Sequence, residues 1–493
     1  MIIKNDPGQF QNYLSDASNY KGNADSIYFP ESEAEISEIL KKCNKEKIKA
    51  TVSGNGTGLA GGRVPEGGII ISLEKLNRII DLNIEKKFVV VQPAVVLKDL
   101  QDFVEAQNIF YPPDPTERNC FIGATVATNS SGARTFKYGA TRNYVSGLRI
   151  VLPNGEAIEI DRGQYFANQY EAHIGTESGK VISFKIPDYK MPKTKNAAGY
   201  YCKENMDLID LFIGSEGTLG IISEIKLKLI DLPKNVLSCV AFFPTEEDAL
   251  SFIDEARELR LPDLSLHKAR ALEFFDAYTL RFLQNDYPNI PKLSQAAVWF
   301  EEDCDTDNDD IIESWTSQLN KHHCSDDSVW FAFDKIEQEK FHEFRHAIPL
   351  KVNEFITQHS LKKVGTDVSV PVIHFRSFYY WMKETVEKEN IDYVVYGHFG
   401  DCHPHLNMLP KNESEYLRSK QIYANICKEA VRLDGTISAE HGIGKLKRDY
   451  LKTMYGENNI LKMAKLKFVF DQNQILNVGN IFDGKYLDVV NGK

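Results

Sequence analysis

The chain has 493 residues, with 70 acidic against 58 basic side chains, a formal net charge of −12, and 42% hydrophobic and 11% aromatic content. That length exceeds what one compact core accommodates and predicts two or three domains, and no apolar run approaches the roughly 20 residues needed to cross a bilayer. The negative charge argues against nucleic acid as a main partner, since phosphate binding needs a basic surface. At the N-terminus, Met1 to Pro7 lacks the pattern of a secretory signal or a transit peptide, so a cytoplasmic location is expected. Eight cysteines are scattered without a Cys-x-x-Cys pair, which offers neither a disulfide framework nor an iron–sulfur cluster.

In chain order, Ile27 to Phe29 reads as a strand, Ser32 as the cap of a helix with apolar positions at Ile36, Ile39 and Leu40, and Ile48 to Val52 as a second strand. This β-α-β unit delivers the chain into Gly54-Asn55-Gly56-Thr57-Gly58-Leu59-Ala60-Gly61-Gly62, dense enough in glycine for backbone amides to surround phosphate oxygens. Gly56 to Gly61 formally matches the Rossmann fingerprint, but that motif must open a helix. Here Gly62, Pro65, Gly67 and Gly68 lead into the strand-like Ile69 to Leu73, so a loop between strands is expected. Val89 to Pro93 reads as a strand, Leu97 to Gln107 as a helix and Arg149 to Leu152 as a strand. Between the last two lies the small-residue run Ile122 to Arg134, suited to backbone packed against a large flat ligand. Asp210 to Ser223 reads as an apolar strand, a polar glycine turn at Gly214 to Gly220, then another strand.

These three glycine-rich segments resemble the FAD-binding half of the vanillyl-alcohol oxidase type of flavoproteins, and within it the chain is similar to the FAD-linked D-2-hydroxyacid dehydrogenases over nearly its whole length. The resemblance implies an α+β fold: a two-subdomain FAD-binding domain of the PCMH type at 1–232, a cap domain with an antiparallel sheet flanked by helices at 233–447, and a helical segment at 448–493 packing back on the FAD domain. It also implies FAD contacts from Ser53, Gly54, Asn55, Gly56, Thr57, Gly58, Gly123, Ala124, Ala127, Asn129, Gly132, Gly217, Gly220, Ile221 and Ile222. Family members with covalent flavin carry a histidine in the first glycine loop; Asn55 stands there instead, so FAD is expected without a covalent link.

Beyond Pro233 the composition shifts to amphipathic helices with acidic loops. Glu301 to Asp310 spaces acids like a calcium loop but lacks the turn glycine and the bidentate glutamate, and is read as a solvated acidic loop. Phe344-Arg345-His346 resembles a family landmark whose arginine clamps the substrate carboxylate. Gly365-Thr366-Asp367 resembles a strand entering the site, with a departure: some members carry a substrate-contacting lysine where this chain has Gly365, and Lys363 lies two residues further back.

Gly397-His398-Phe399-Gly400-Asp401-Cys402-His403-Pro404-His405 and Ser438-Ala439-Glu440-His441-Gly442 then supply imidazoles and a carboxylate, an ordinary ligand set for a catalytic divalent metal. By resemblance, His398, His405 and Glu440 hold the metal, with zinc, manganese or iron all acceptable to such a set. His441 takes the hydroxyl proton, Arg345 pairs with the carboxylate, and Asn407 faces the substrate. His403 offers a substitute ligand, but the family position it occupies is variable, and it is read as held by a local hydrogen bond. The tail Phe470 to Asn480 resembles the family's closing motif.

The implied function is oxidation of a D-2-hydroxy acid of the lactate, glycolate or 2-hydroxyglutarate type to the 2-oxo acid, with hydride passing to flavin N5. Electrons then leave to a separate acceptor: a quinone, an electron-transfer flavoprotein or an iron–sulfur protein. Peripheral membrane association is compatible with this reading; a membrane span is not. Two rivals are a non-catalytic flavin subunit of a larger oxidoreductase, against which the complete metal set speaks, and a zinc hydrolase, against which the flavin-type segments speak.

Overall fold

In the computed structural model, which describes residues 1–258, 269–304 and 308–492, the side chain of Ser32 accepts the Glu35 amide at 3.2 Å and opens the helix Glu33–Glu46. Ile36, Ile39 and Leu40 recur on one face of that helix and are buried. The strands Ser26–Phe29 and Ala50–Ser53 on either side of the helix both pair in parallel with Ile69–Ser72, and Ile2–Lys4 adds an antiparallel edge. The glycine-rich loop after Ser53 therefore runs from strand to strand and opens no helix.

A second, antiparallel sheet follows in the order Ile79–Asn83, Phe88–Val91, Ile221–Lys228, Val145–Val151, Ala157–Asp161. The run Ile122–Thr128 is a short helix whose end at Asn129 turns left-handed. One expectation fails nearby: Asp210 to Ile213 is not a strand, because Ile209–Phe212 forms a single helical turn. Every residue from Leu208 to Ile213 is buried, and a run apolar on all sides carries no periodicity to separate helix from strand.

The third sheet has seven strands, ordered Val329–Ala332, Asn235–Phe243, Ala296–Cys304, Ala269–Asp276, Tyr393–His398, His403–Met408, Val364–Gly365, with every pairing antiparallel. The period of two along each strand sends alternate side chains into two cores. Phe242, Phe275 and Trp299 pack on one face with Phe344 and Ile348 of the helix Lys335–Gln358. Phe243, Phe274 and Phe300 pack on the other with Phe252, Trp315 and Tyr379. Helices therefore cover both faces.

The acidic run beginning at Glu301 is not a solvated loop where it is described. Glu301 is fully buried in the strand Ala296–Cys304, where Nε of Arg270 donates to it at 2.7 Å and Nε of Arg134 at 3.1 Å. Asp303 takes Arg270 Nη1 at 3.0 Å, and Glu302 accepts the Trp315 indole at 2.7 Å. Buried charge persists because it is paired, and the partners come from distant parts of the chain, which local spacing cannot reveal. Residues 305–307 of that run lie outside the described residues.

Near the C-terminus, buried Lys467 donates to the Thr218 and Leu476 carbonyls, both at 2.8 Å. Asn477 accepts the Val52 amide and donates to the Glu216 carbonyl, again at 2.8 Å each, while Asn480 donates to Gly62. The tail thus lies directly on the first and third glycine segments.

Candidate active site

The hairpin Tyr393–His398 and His403–Met408 places His398 opposite His403 and His405 opposite Tyr396. Strand alternation then sets His403, His405 and Asn407 on one face. The turn closes through Cys402 in the left-handed region at φ 54°.

The carbonyl of Thr366 accepts from His405 Nδ1 at 3.1 Å. Because a carbonyl only accepts, Nδ1 carries the proton and Nε2 is left as a lone pair, 3.3 Å from Glu440 Oε1. His398 follows the same pattern: Nδ1 lies 2.6 Å from Glu273 and Nε2 lies 3.3 Å from the Glu440 carboxylate. On His403 the nitrogens exchange roles, with Nε2 donating to Asp367 at 3.1 Å and Nδ1 lying 3.9 Å from Glu440 Oε2. One donor atom from each of His398, His403, His405 and Glu440 falls within 4.8 Å of the others. Lone pairs converging on a half-buried carboxylate suit a divalent cation, so the donor set fits the expected metal.

Two carboxylates position the loop that carries Glu440 and His441. Asp367 accepts the Glu440 and His441 amides at 3.1 Å each, the Ser438 hydroxyl at 2.6 Å and the Lys447 ammonium at 2.6 Å. Glu216, from the third glycine segment, accepts the Ile443 and Gly444 amides at 2.6 and 2.7 Å. Lys195 reaches in to Glu440 Oε2 at 2.9 Å. Burial opposes ionisation of Glu440, yet Lys195, His398 and His403 hold its carboxyl well below the usual range.

Arg345 is half-buried and already engaged, with Nε on Glu273 at 2.8 Å and Nη1 on the Thr116 hydroxyl at 3.3 Å. Burial would raise the Glu273 carboxyl, but Arg345 and His398 beside it hold it low. Asn407 is buried across from Gly365, and a Cβ on Gly365 would stand 2.3 Å from Asn407 Oδ1 and 3.5 Å from Lys363 Cε. Lys363 therefore borders the space that a side chain at position 365 would take, and burial lowers its ammonium to about 8.

A cavity runs along the glycine segments, lined by Gly54, Asn55, Gly56, Thr57, Gly58, Gly123, Ala124, Ala127, Gly217, Gly220, Ile221 and Ile222. Ser53, Asn129 and Gly132 stand off its wall. Ser53 is fully buried in its strand, Asn129 accepts the Arg142 amide at 3.0 Å, and Gly132 leaves room for the Asp114 carbonyl, which a Cβ would meet at 1.7 Å. The turn amides, the small wall at Ala124 and Ala127 and the aliphatic Ile221 and Ile222 fit a diphosphate joined to a flat ring. The two acids on the wall, Asp16 and Glu216, already accept backbone amides from Gly61 and from Ile443 and Gly444. His441 lines the same cavity, its Nε2 3.5 Å from Glu440 Oε1 and its ring stacked on His405.

Spacing in the sequence did not point to Glu273, Lys195 or Glu216. Glu273 had one signal, an acid inside the apolar strand run Ala271 to Phe275. Lys195 sits in an irregular segment and had none.

Comparison with known proteins gives two family matches: an FAD binding domain over residues 24–161, and the C-terminal domain of FAD linked oxidases over residues 232–481. The glycolate oxidase subunit GlcD of Bacillus subtilis (strain 168) is 30% identical over 95% of this chain and 92% of its own. A D-lactate dehydrogenase of Anaerostipes hadrus is 31% identical over 91% of this chain and 88% of its own. Among solved structures, an alkyldihydroxyacetonephosphate synthase superposes with a TM-score of 0.66 at 16% identity, over 96% of this chain and 81% of that one, a likeness of fold.

Proposed function

The chain belongs to the family of FAD-linked D-2-hydroxyacid dehydrogenases, and on that premise we propose that it oxidises a D-2-hydroxy acid of the lactate, glycolate or 2-hydroxyglutarate type to the 2-oxo acid. The observation that carries the reading is the position of His441, which lines the cavity of the glycine segments and stands 3.5 Å from Glu440 in the donor cluster.

FAD, held without a covalent link, supplies the two-electron acceptor, and a divalent ion on His398, His405 and Glu440 supplies Lewis acidity; zinc, manganese and iron suit these donors. The chain's own groups do the rest. His441 accepts the proton of the substrate hydroxyl, and Arg345, whose fork retains donors beyond those on Glu273 and Thr116, pairs with the substrate carboxylate. Asn407, which fills the space a side chain at Gly365 would take, and Lys363 beside it are assigned to the remainder of the substrate. Residues 1–232 hold FAD, 233–447 hold substrate and metal, and 448–493 brace the FAD portion.

Electrons are assigned to an external acceptor: a quinone, an electron-transfer flavoprotein or an iron–sulfur protein. A cytoplasmic location suits this reading, and no described helix is long and apolar enough to cross a membrane.

The test is anaerobic. Purified protein should release FAD on acid precipitation, and glycolate, which is achiral, or one D-2-hydroxy acid should bleach the flavin, the L-enantiomer of a chiral substrate leaving it oxidised. Flavin unaffected by glycolate and by every D-2-hydroxy acid would defeat the proposal, and rapid stoichiometric peroxide in air would replace the external acceptor with oxygen.

A further inference from the structure

We infer that His403 is a fourth protein ligand of the metal, a role that rests on the metal reading proposed above. Asp367 accepts the Glu440 and His441 amides, the Ser438 hydroxyl and the Lys447 ammonium, so it is an ionised carboxylate with nothing to donate. His403 Nε2, 3.1 Å from Asp367 Oδ1, must therefore carry the proton of that hydrogen bond. Nδ1 is then a bare lone pair.

That lone pair is fully buried and, among the described residues, has no hydrogen-bond partner. It faces Glu440 Oε2 across 3.9 Å, acceptor against acceptor. Glu440 Oε2 accepts the Lys195 ammonium at 2.9 Å, yet that contact leaves the His403 lone pair without a donor, and an unsatisfied buried acceptor costs roughly 1–3 kcal/mol. A divalent ion on Glu440 removes that penalty. The surroundings support the same end: His398, His403 and His405 each direct one N–H outward, to Glu273, Asp367 and the Thr366 carbonyl, and turn the other nitrogen toward Glu440. Outward acceptors of this kind fix ligand tautomers. The hydrogen bond to Asp367 is thus the support of a ligand rather than an alternative to ligation.

Four protein donors close a tetrahedral ion, whereas a 2-hydroxy acid that chelates needs two further positions. Six-coordinate manganese or iron then serves better than zinc.

The test uses the full-length flavoprotein loaded with Co2+, read by X-ray absorption and by metal titration. Wild type should show three imidazoles on the ion. His403→Gln keeps an amide donor for Asp367 and should show two, with affinity down at least the roughly 10- to 100-fold that loss of a supporting contact alone costs. Affinity does not separate a ligand from a prop, but the imidazole count does, and the wild-type count stands even if the variant fails to fold. Two imidazoles in wild type overturn the role of His403 and leave the three-ligand site intact. No bound ion at all overturns both, with Lys195 as the cation on Glu440.

Discussion

Glu273 Oε1 lies 2.6 Å from Nδ1 of His398, and the same carboxylate holds Arg345 at 2.8 Å through Oε2. One buried acid thus fixes the tautomer of the imidazole that faces Glu440 and the pose of the guanidinium assigned to the substrate. Replacing it with the isosteric amide should loosen both. Glu273→Gln is expected to lower metal affinity roughly 10- to 100-fold while FAD content is unchanged. Metal titration of the purified variant checks this, and an unaltered affinity would remove Glu273 from the support of the site.

His441 and His405 predict different failures. His405→Ala should lose metal and activity together. His441→Ala should keep metal and FAD yet slow flavin reduction by roughly 100-fold or more, the usual worth of a general base. Metal analysis beside stopped-flow reduction separates them; loss of metal from His441→Ala with retention in His405→Ala would mean that the roles are exchanged.

Arg345→Lys keeps the charge but not the fork. A single ammonium serves either Glu273 or a substrate carboxylate, so one charge-assisted contact worth about 1.5–3 kcal/mol is lost, a rise in KM of roughly 10- to 150-fold. Steady-state kinetics with the preferred acid provides the measurement. An unchanged KM would take Arg345 out of substrate binding.

Asp276 offers a pH signature away from the site. It caps the helix Ala277–Leu283 through the Thr279 amide at 2.8 Å and is fully buried, which raises its carboxyl to about 6 despite Lys383 nearby. A carboxyl higher in the folded state than in the unfolded chain favours folding below the unfolded value and loses that contribution as pH rises through about 6. Asp276→Asn is always neutral, so its stability relative to wild type should climb between pH 4 and 6 and level off above. The rise should come to about 1–3 kcal/mol. Denaturant melts across that range decide it, and a flat difference would show that Asp276 is ionised without penalty.

Amino-acid order alone determined the local pieces. The Ser32 cap, the strand-to-strand glycine loop and the grouping of histidines ahead of Glu440 follow from neighbours within a few residues. Its failures were equally physical. The turn at Ile209–Phe212 lies in a run buried on all sides, which has no period to read, and Glu301 is charged in a core because Arg270 and Arg134 arrive there from elsewhere in the chain. His403 shows the division most clearly: its place beside His405 is a matter of strand alternation, but its free nitrogen is set by Asp367, 36 residues earlier. Glu273, Lys195 and Glu216 reach the site by the same route. Side chains far apart in sequence meet only when the sheet and the two cores have formed, and a carboxylate's partner, and so its charge and role, is decided at that meeting.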